Sequence, residues 1–433
     1  MTINTNPTSF LDYLQFHSSL KSIELDNVIL PTTLSIGYLV LMCHQVERLV
    51  FKKVPLLANN SNIDISSSVS NSINELRNMA INNTPLKITY LKVSLGGCLP
   101  TVPFIHNNND QLLNEIIRQC RNLQHLFLDS RDSISYEQII STVNESCLLV
   151  EDLVINHECQ MPNTAITTNH KVKVEKNSNG NGLCRFVMAG NDNNSYYTMA
   201  SDQILSFIKK NQRTIELLYL DFDSDTVMSQ LLSQLAQQHD GKKDEINYPQ
   251  LHELLINIRQ PVRTTTTASS FSDSLSAFLL CCRPLKSLSI INQFNTASSE
   301  PLVTDTVLQS LALRSNQLQY LRINCHHFTT QALSRLASAA NDHYQHKKIN
   351  NVLNHIDDED HNNNGDSIGT TLDLDFIHSD LPTVVNSWKT LKNVIIRRHY
   401  DNNKILSPSD QSIYNLLETT LRQRGGTINI KYD

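Results

Sequence analysis

The sequence predicts an α/β solenoid: a curved stack of short parallel strands forming a concave face, with helices on the convex face. Three observations predict it. An apolar triple at positions i, i+3 and i+5 recurs along the chain. Between triples the apolar period changes from 2, the signature of a strand, to about 3.6, that of a helix. Four of the nine cysteines stand at one place in the unit, three residues before the triple. With 433 residues the chain exceeds one compact core, and a repeat array, whose core grows in one dimension, accommodates that length.

The strands come first. Leu20/Ile23/Leu25 opens the series, and Ile88/Leu91/Val93, Ile215/Leu218/Leu220, Leu251/Leu254/Ile256, Leu318/Leu321/Ile323 and Leu391/Val394/Ile396 repeat it. Four units add the cysteine: Cys43 before Val46/Leu49/Phe51, Cys120 before Leu123/Leu126/Leu128, Cys147 before Val150/Leu153/Ile155, and Cys282 before Leu285/Leu288/Ile290. Two degenerate units are read near Leu372 and Ile428. Helical spacing follows in 110–122, 135–147, 201–213, 225–238, 304–316 and 329–341, several of which begin with Ser, Thr or Asp suited to an N-cap. Strand then helix, repeated, implies a parallel sheet with its helices on one face. A lone unit cannot offset the entropy of ordering its residues, whereas stacking lets each strand and helix bury a second flank.

Cys-x-x-Leu-x-x-Leu-x-Leu followed by Ile-Ser and a Leu-rich helix ending before the next cysteine resembles the cysteine-containing leucine-rich repeat. Residues 120–147 match best, with Ile134, Ser135 and Ile139 in family positions, and 303–312 and 328–340 resemble the repeat's second half. The fold this implies is a leucine-rich-repeat solenoid. The repeat subtype is typical of F-box proteins, and asparagine-rich insertions are seen in such receptors from lower fungi and amoebae. The resemblance therefore implies a fungal-type substrate receptor of a cullin-based ubiquitin ligase. The F-box itself is missing, because the first strand begins at Leu20. A cullin adaptor is accordingly expected as a partner only if a box is encoded upstream. The alternative reading is a ubiquitin-independent scaffold resembling ribonuclease-inhibitor-like regulators.

Residues 1–16 read as a polar tail, and 17–433 as a single irregular solenoid with loop insertions near 59–72, 157–200, 259–272 and 345–368. The 157–200 stretch is the best hinge candidate, and its "GLCRFVMAG" run reads as a strand or a hairpin. A net charge of −6 gives no electrostatic case for binding nucleic acid. No apolar run approaches the roughly 18 residues of a membrane span, and no secretory leader opens the chain. The expected location is the cytoplasm or the nucleus, with reduced thiols.

Motifs for chemistry are weak. Asp360–Asp366 supplies half of a calcium loop, but position 371 is Thr where a Glu is needed. Cys325–His327 and the His157/Cys159 pair lack a second pair at zinc-finger spacing. No nucleophile elbow, phosphate loop or zinc-protease motif occurs. The expectation is a non-enzymatic protein with no cofactor and no metal.

The residue between the last two apolar positions of each triple alternates to the face away from the core. Along the array these residues are Glu24, Val50, Lys92, Phe127, Val154, Tyr219, Leu255, Ser289, Arg322 and Ile395. Phe127, Val154, Tyr219 and Leu255 predict an exposed apolar strip for a protein partner, bordered by His125, Asp152, Asp221 and Arg322. Two alternatives stay open: an insertion folded over the strip, or a strand register read one residue out.

Overall fold

A computed structural model describes residues 20–26, 45–52, 86–95, 106–130, 136–155, 182–188, 202–222, 225–237, 246–259, 265–292, 303–314, 317–323, 326–354, 370–374, 381–398 and 407–432, with short pieces at 40, 70–71 and 73–78. The chain divides into two compact units, Met1–Tyr196 with Ser201–Asn211, and Tyr197–Ala200 with Gln212–Asp433. The division falls at the end of the 157–200 stretch and in the segment after it.

The first unit holds β1 (Ser22–Asp26), β2 (Arg48–Lys52), β3 (Tyr90–Leu95), α1 (His106–Gln119), β4 (His125–Ser130), α2 (Tyr136–Ser146), β5 (Asp152–Ile155), β6 (Arg185–Met188) and α3 (Asp202–Lys210). Its strands pair in parallel in chain order, β1 to β6. Parallel strands added in sequence, with right-handed crossovers, put every helix on the same side. The triples face that side: Leu49, Leu91, Leu126, Leu153 and Phe186 have no exposed surface.

The second unit holds β7 (Leu217–Phe222), α4 (Asp225–Ala236), β8 (Glu253–Ile258), α5 (Thr265–Cys281), β9 (Ser287–Asn292), β10 (Val303–Thr304), α6 (Asp305–Arg314), β11 (Tyr320–Ile323), β12 (His326–His327), α7 (Thr330–Asn354), β13 (Thr370–Leu374), α8 (Leu381–Ser387), β14 (Leu391–Arg398), α9 (Pro408–Arg422) and β15 (Thr427–Tyr432). Within this unit the strand order is β7-β8-β9-β11-β13-β14-β15, all pairs parallel, and β10 and β12 form a separate parallel pair. Each unit is thus a solenoid-like stack of strand–helix repeats.

The backbone repeats as the sequence does. At most steps into a strand, two consecutive N–H groups donate to one carbonyl of the preceding repeat, whereas at β13 Thr371 alone donates back, to Gln319 O. Gln124 and His125 donate to Thr89 O, Glu151 and Asp152 to Gln124 O, and Cys184 and Arg185 to Glu151 O. In the second unit His252 and Glu253 share Glu216 O, Lys286 and Ser287 share His252 O, and Gln319 and Tyr320 share Lys286 O. The recurring cysteine has a task in the same turn. The Cys147 thiol donates to Ile117 O at 3.3 Å and Cys120 O at 3.6 Å, carbonyls in the last turn of α1 and just past its end that also accept the N–H groups of Cys120 and Leu123. In the second unit Cys281 reaches Ala236 O at the end of α4, and Cys282 bonds back to Phe278 O.

In all ten clear triples the last two positions lie on a strand, and in all but Leu391/Val394/Ile396 the first position precedes that strand by two residues; the degenerate units near Leu372 and Ile428 lie on β13 and β15. Of the two alternatives for the "GLCRFVMAG" run the strand holds: Arg185–Met188 form β6, parallel to β5, with Leu183, Phe186 and Met188 buried at the same i, i+3, i+5 spacing as the other triples. Two expectations change. The loop expected at 259–272 is largely helix, because α5 begins at Thr265 and buries Phe271 and Ser272. The first part of the loop expected at 345–368 is helix, because α7 runs to Asn354. No helix among the described residues is long and apolar enough to cross a membrane.

Candidate recognition face

On the sheet face of the first unit turned away from the triples, alternate residues form ladder rows. Tyr90 stands opposite Arg48 and His125, His125 opposite Asp152, and Asp152 opposite Arg185. The next row is Glu24, Val50, Lys92, Phe127, Val154 and Val187. Parallel register makes both rows continuous, since a one-residue slip would turn each side chain into the core.

The rows are bonded sideways. The Arg48 guanidinium lies 4.0 Å from the centre of the Tyr90 ring, a cation–π contact. Tyr90 in turn packs on His125 and Phe127, with ring centres 5.9 and 5.2 Å apart. His125 Nδ1 is 2.8 Å from Asp152 Oδ2. Arg185 grips the same carboxylate with two hydrogen bonds, Nε to Oδ1 at 3.0 Å and the terminal nitrogen to Oδ2 at 2.8 Å, a geometry matched to guanidinium. Burial pushes the Asp152 pKa up, but the hydrogen bonds from His125 and Arg185 outweigh it and hold the carboxyl below its ordinary value. The hydrogen bond to Asp152 raises the His125 pKa against the opposing pull of desolvation. Glu24 pairs with Lys52, and Ser94 donates to Asp129 at 3.1 Å. Tyr90 and Phe127 remain half-buried at the centre of the face.

The corresponding face of the second unit is closed rather than open. Its central row runs Tyr219, Leu255, Ser289, Arg322, Asp373 and Ile395. Arg259 holds Asp221 through two bonds of 2.7 Å, with side-chain exposures of 6% and 0%. Arg397 holds Asp373 at 2.9–3.1 Å, and Tyr320 adds a hydroxyl bond of 2.8 Å to the same carboxylate. Each ion pair links neighbouring strands and is buried, an arrangement that rigidifies the sheet.

All eight sequence-derived site residues lie on these faces, in the rows their spacing implied, but they differ in exposure. Phe127, His125 and Asp152 are half-buried. Val154 and Tyr219 keep 6%, Leu255 keeps 3% and Arg322 keeps 8%, while Asp221 is packed at 1%. The continuous exposed apolar strip expected from Phe127 to Leu255 is therefore corrected to an open patch around Phe127. The physical reason is that side chains of adjacent ladder positions on one face cover each other. Tyr90 and Arg185, which complete the first-unit row, were not among the sequence-derived candidates. Tyr90 shares the parity of Lys92, and Arg185 follows from the overlooked triple of β6.

Cys325, the His157/Cys159 pair and the 360–366 loop lie outside the described residues. His326 and His327 form β12 beside Val303 and Thr304. Among the described residues no group of three or more potential metal ligands assembles. The fold and face define a parallel α/β repeat protein with an open aromatic and charged patch on its first unit. No family model matches the chain, and no curated protein matches it.

Proposed function

We propose that this protein is a non-enzymatic recognition module that binds a protein partner on the helix-free face of its first unit. The observation that carries the reading is the half-buried Tyr90–Phe127 pair, held in place by Arg48 on one side and the His125–Asp152–Arg185 chain on the other. Aromatic side chains pre-ordered beside arginine are the residue types that dominate protein interfaces. The repeats are of the cysteine-containing leucine-rich type, as the Cys120 and Cys147 units suggest. The biological role that fits such repeats is substrate selection for a ubiquitin ligase.

A photo-crosslinking residue at position 127, with position 138 on the exposed side of α2 as control, tests the face. Protein adducts at 127 and none at 138 are expected. An equal yield at both positions, or none at 127, overturns the reading. Co-purification of a cullin adaptor with the intact protein tests the ligase role separately.

A further inference from the structure

We infer that the second unit carries a separate contact surface, an aliphatic row of Ile246, Leu280 and Leu313 flanked by cations, which holds an acidic protein segment bearing aliphatic side chains. This goes beyond the recognition face of the first unit and does not depend on it. Among the described residues five large apolar side chains are exposed, and three of them form this row. They share one place in the repeat. Ile246 lies seven residues before Glu253, Leu280 seven before Ser287 and Leu313 seven before Tyr320, and those three strand residues are ladder partners. The register therefore sets the row at equivalent positions of three successive repeats. At the first step Asn247 N donates to Cys281 O at 3.0 Å, and Tyr248 bridges Cys282 in parallel. At the second step α5 packs on α6. Burial raises the Cys281 pKa and the Arg314 charge lowers it, which places that guanidinium near the thiol. Other described repeats have polar residues at the same place: Arg118, Glu145, Lys210, Asn386 and Thr420. Leu313 is 77% exposed, so packing within the unit does not call for an aliphatic residue there.

The charges beside the row have one sign. The segments that lead from it into the strands, 246–252, 280–286 and 313–319, contain Arg283, Lys286 and Arg314 and no Asp or Glu. All three cations are exposed, and among the described residues none pairs with a carboxylate. Glu253, just beyond the first segment, lies 3.9 Å from His252. Asp273 stands on α5 seven residues before Leu280, about 10 Å along the helix axis. In the sequence Glu216 is accompanied by Arg213, and Asp244 and Glu245 by Lys242 and Lys243. Carboxylates satisfy the free cations, and aliphatic side chains cover the row. A second copy of the chain is disfavoured, because a two-fold contact through the row sets Arg283 and Arg314 against their own copies. An anionic bilayer offers the same charge, but Ile246 and Leu280, at 36% and 38% exposure, lie too nearly flush with the surface to reach an acyl layer.

The test is fluorescence polarisation on the full chain at low salt, with labelled synthetic peptides as probes. One has leucines at helical i, i+3 and i+4 spacing and glutamates elsewhere, one replaces the glutamates by lysines, and one replaces the leucines by serines. The glutamate–leucine peptide should bind most tightly. Leu280→Ser with Leu313→Ser should weaken it about tenfold or more, since a few central apolar contacts carry most of an interface's energy. Arg283→Glu with Arg314→Glu should weaken it similarly, by turning attraction into repulsion. Leu148→Ser removes an exposed leucine outside the row and should leave binding unchanged. Circular dichroism should show each variant folded, as surface substitutions allow. Unchanged binding by the folded row variant, an equal loss in Leu148→Ser, or equal affinity for the lysine–leucine peptide overturns the inference. So does a dimer in sedimentation velocity that the row variant dissolves, or row-dependent flotation with phosphatidylserine vesicles in the absence of peptide binding.

Discussion

His125 Nδ1 lies 2.8 Å from Asp152 Oδ2 across the β4–β5 step, and Arg185 of β6 closes on the same carboxylate. Three adjacent strands are thereby joined through one charged group on the face turned away from the triples. The carboxylate accepts every one of these bonds, so its loss would break the link among all three strands at once.

That linkage makes stability depend on pH in a defined direction. The folded-state pKa of His125 is raised above 6.5, chiefly by the Asp152 hydrogen bond. Its contribution is complete below the unfolded value and disappears as pH rises through the folded value. Asp152 runs the other way. Its folded value is below 3.8, so its contribution is present above that ordinary value and is lost as pH falls through the folded one. The stability difference between the wild type and His125→Gln, followed by urea unfolding from pH 5.5 to 9, should be greatest at the acid end and shrink upward. A difference independent of pH would show that the His125 charge takes no part.

The Arg259–Asp221 pair predicts a different pattern, because both side chains are buried. Asp221→Ala leaves a guanidinium without its counter-charge and should cost about 3–5 kcal/mol. Replacing both partners together, Asp221→Leu with Arg259→Met, should restore part of that loss, since neither charge is then buried without the other, while the Tyr219 hydroxyl still loses its 3.4 Å bond to Asp221. Urea midpoints of the three variants give the comparison. A double variant as unstable as the single one would mean that the pair supplies more than mutual neutralisation.

Leu126 and Phe127 are neighbours on β4 that face opposite ways, with Leu126 fully buried and Phe127 half-buried. Leu126→Ala should cost about 2–5 kcal/mol through the cavity it leaves. Phe127→Ala should cost about 0.5–1.5 kcal/mol for the lost ring contact with Tyr90, while removing partner binding. Thermal melting of the two variants separates them. Tyr219→Ala belongs with Leu126→Ala, because its ring is buried at 6% exposure.

The same alternation explains what was legible in the sequence. Spacing i, i+3, i+5 assigns each side chain to a face, and it correctly located all eight site residues in their rows. Exposure is another matter, since it depends on which neighbours meet across the ladder. Leu255 stands between Tyr219 and Ser289, both on the same face, and is covered, whereas Phe127, between Lys92 and Val154, stays half-buried. The β6 run reads as a strand or a hairpin but not as a repeat unit, because its triple uses Phe186 and Met188 in place of Leu and Ile within a polar stretch. With that unit went Arg185, and with Arg185 the closed chain of charges.

The repeat cysteines make a prediction about reactivity. Burial pushes the Cys147 thiol up to about 12, and it also raises Cys120 and Cys282, both fully buried, well above the ordinary thiol value. Cys281 is half-buried and its shift, also from burial, is smaller. A thiol reacts as its thiolate, so iodoacetamide at pH 8 should label Cys281 in the folded protein before Cys120, Cys147 or Cys282. Peptide mass spectrometry after a timed pulse reads the order. Labelling of Cys147 as fast as Cys281 would contradict its place against the carbonyls of α1.

At the end of α9 two glycines meet different demands. Gly425 takes φ +70, a backbone conformation that disfavours a side chain, and nothing lies within 4 Å of where its Cβ would be. Gly426 has no such torsion, but a Cβ there would sit 2.0 Å from the backbone oxygen of Lys392 on β14. Its N–H also donates to Leu421 O at 2.8 Å, closing the helix so that β15 can pair with β14. Gly425→Ala should therefore cost about 1–2 kcal/mol, the penalty of the left-handed torsion alone. Gly426→Ala must displace a strand backbone and should cost more, at or above the roughly 1–3 kcal/mol of an overpacked core. Hydrogen exchange at Ile428 and Ile430 should accelerate in Gly426→Ala and change little in Gly425→Ala. Equal exchange in the two variants would show that the close approach of Gly426 to Lys392 does not hold β15 in place.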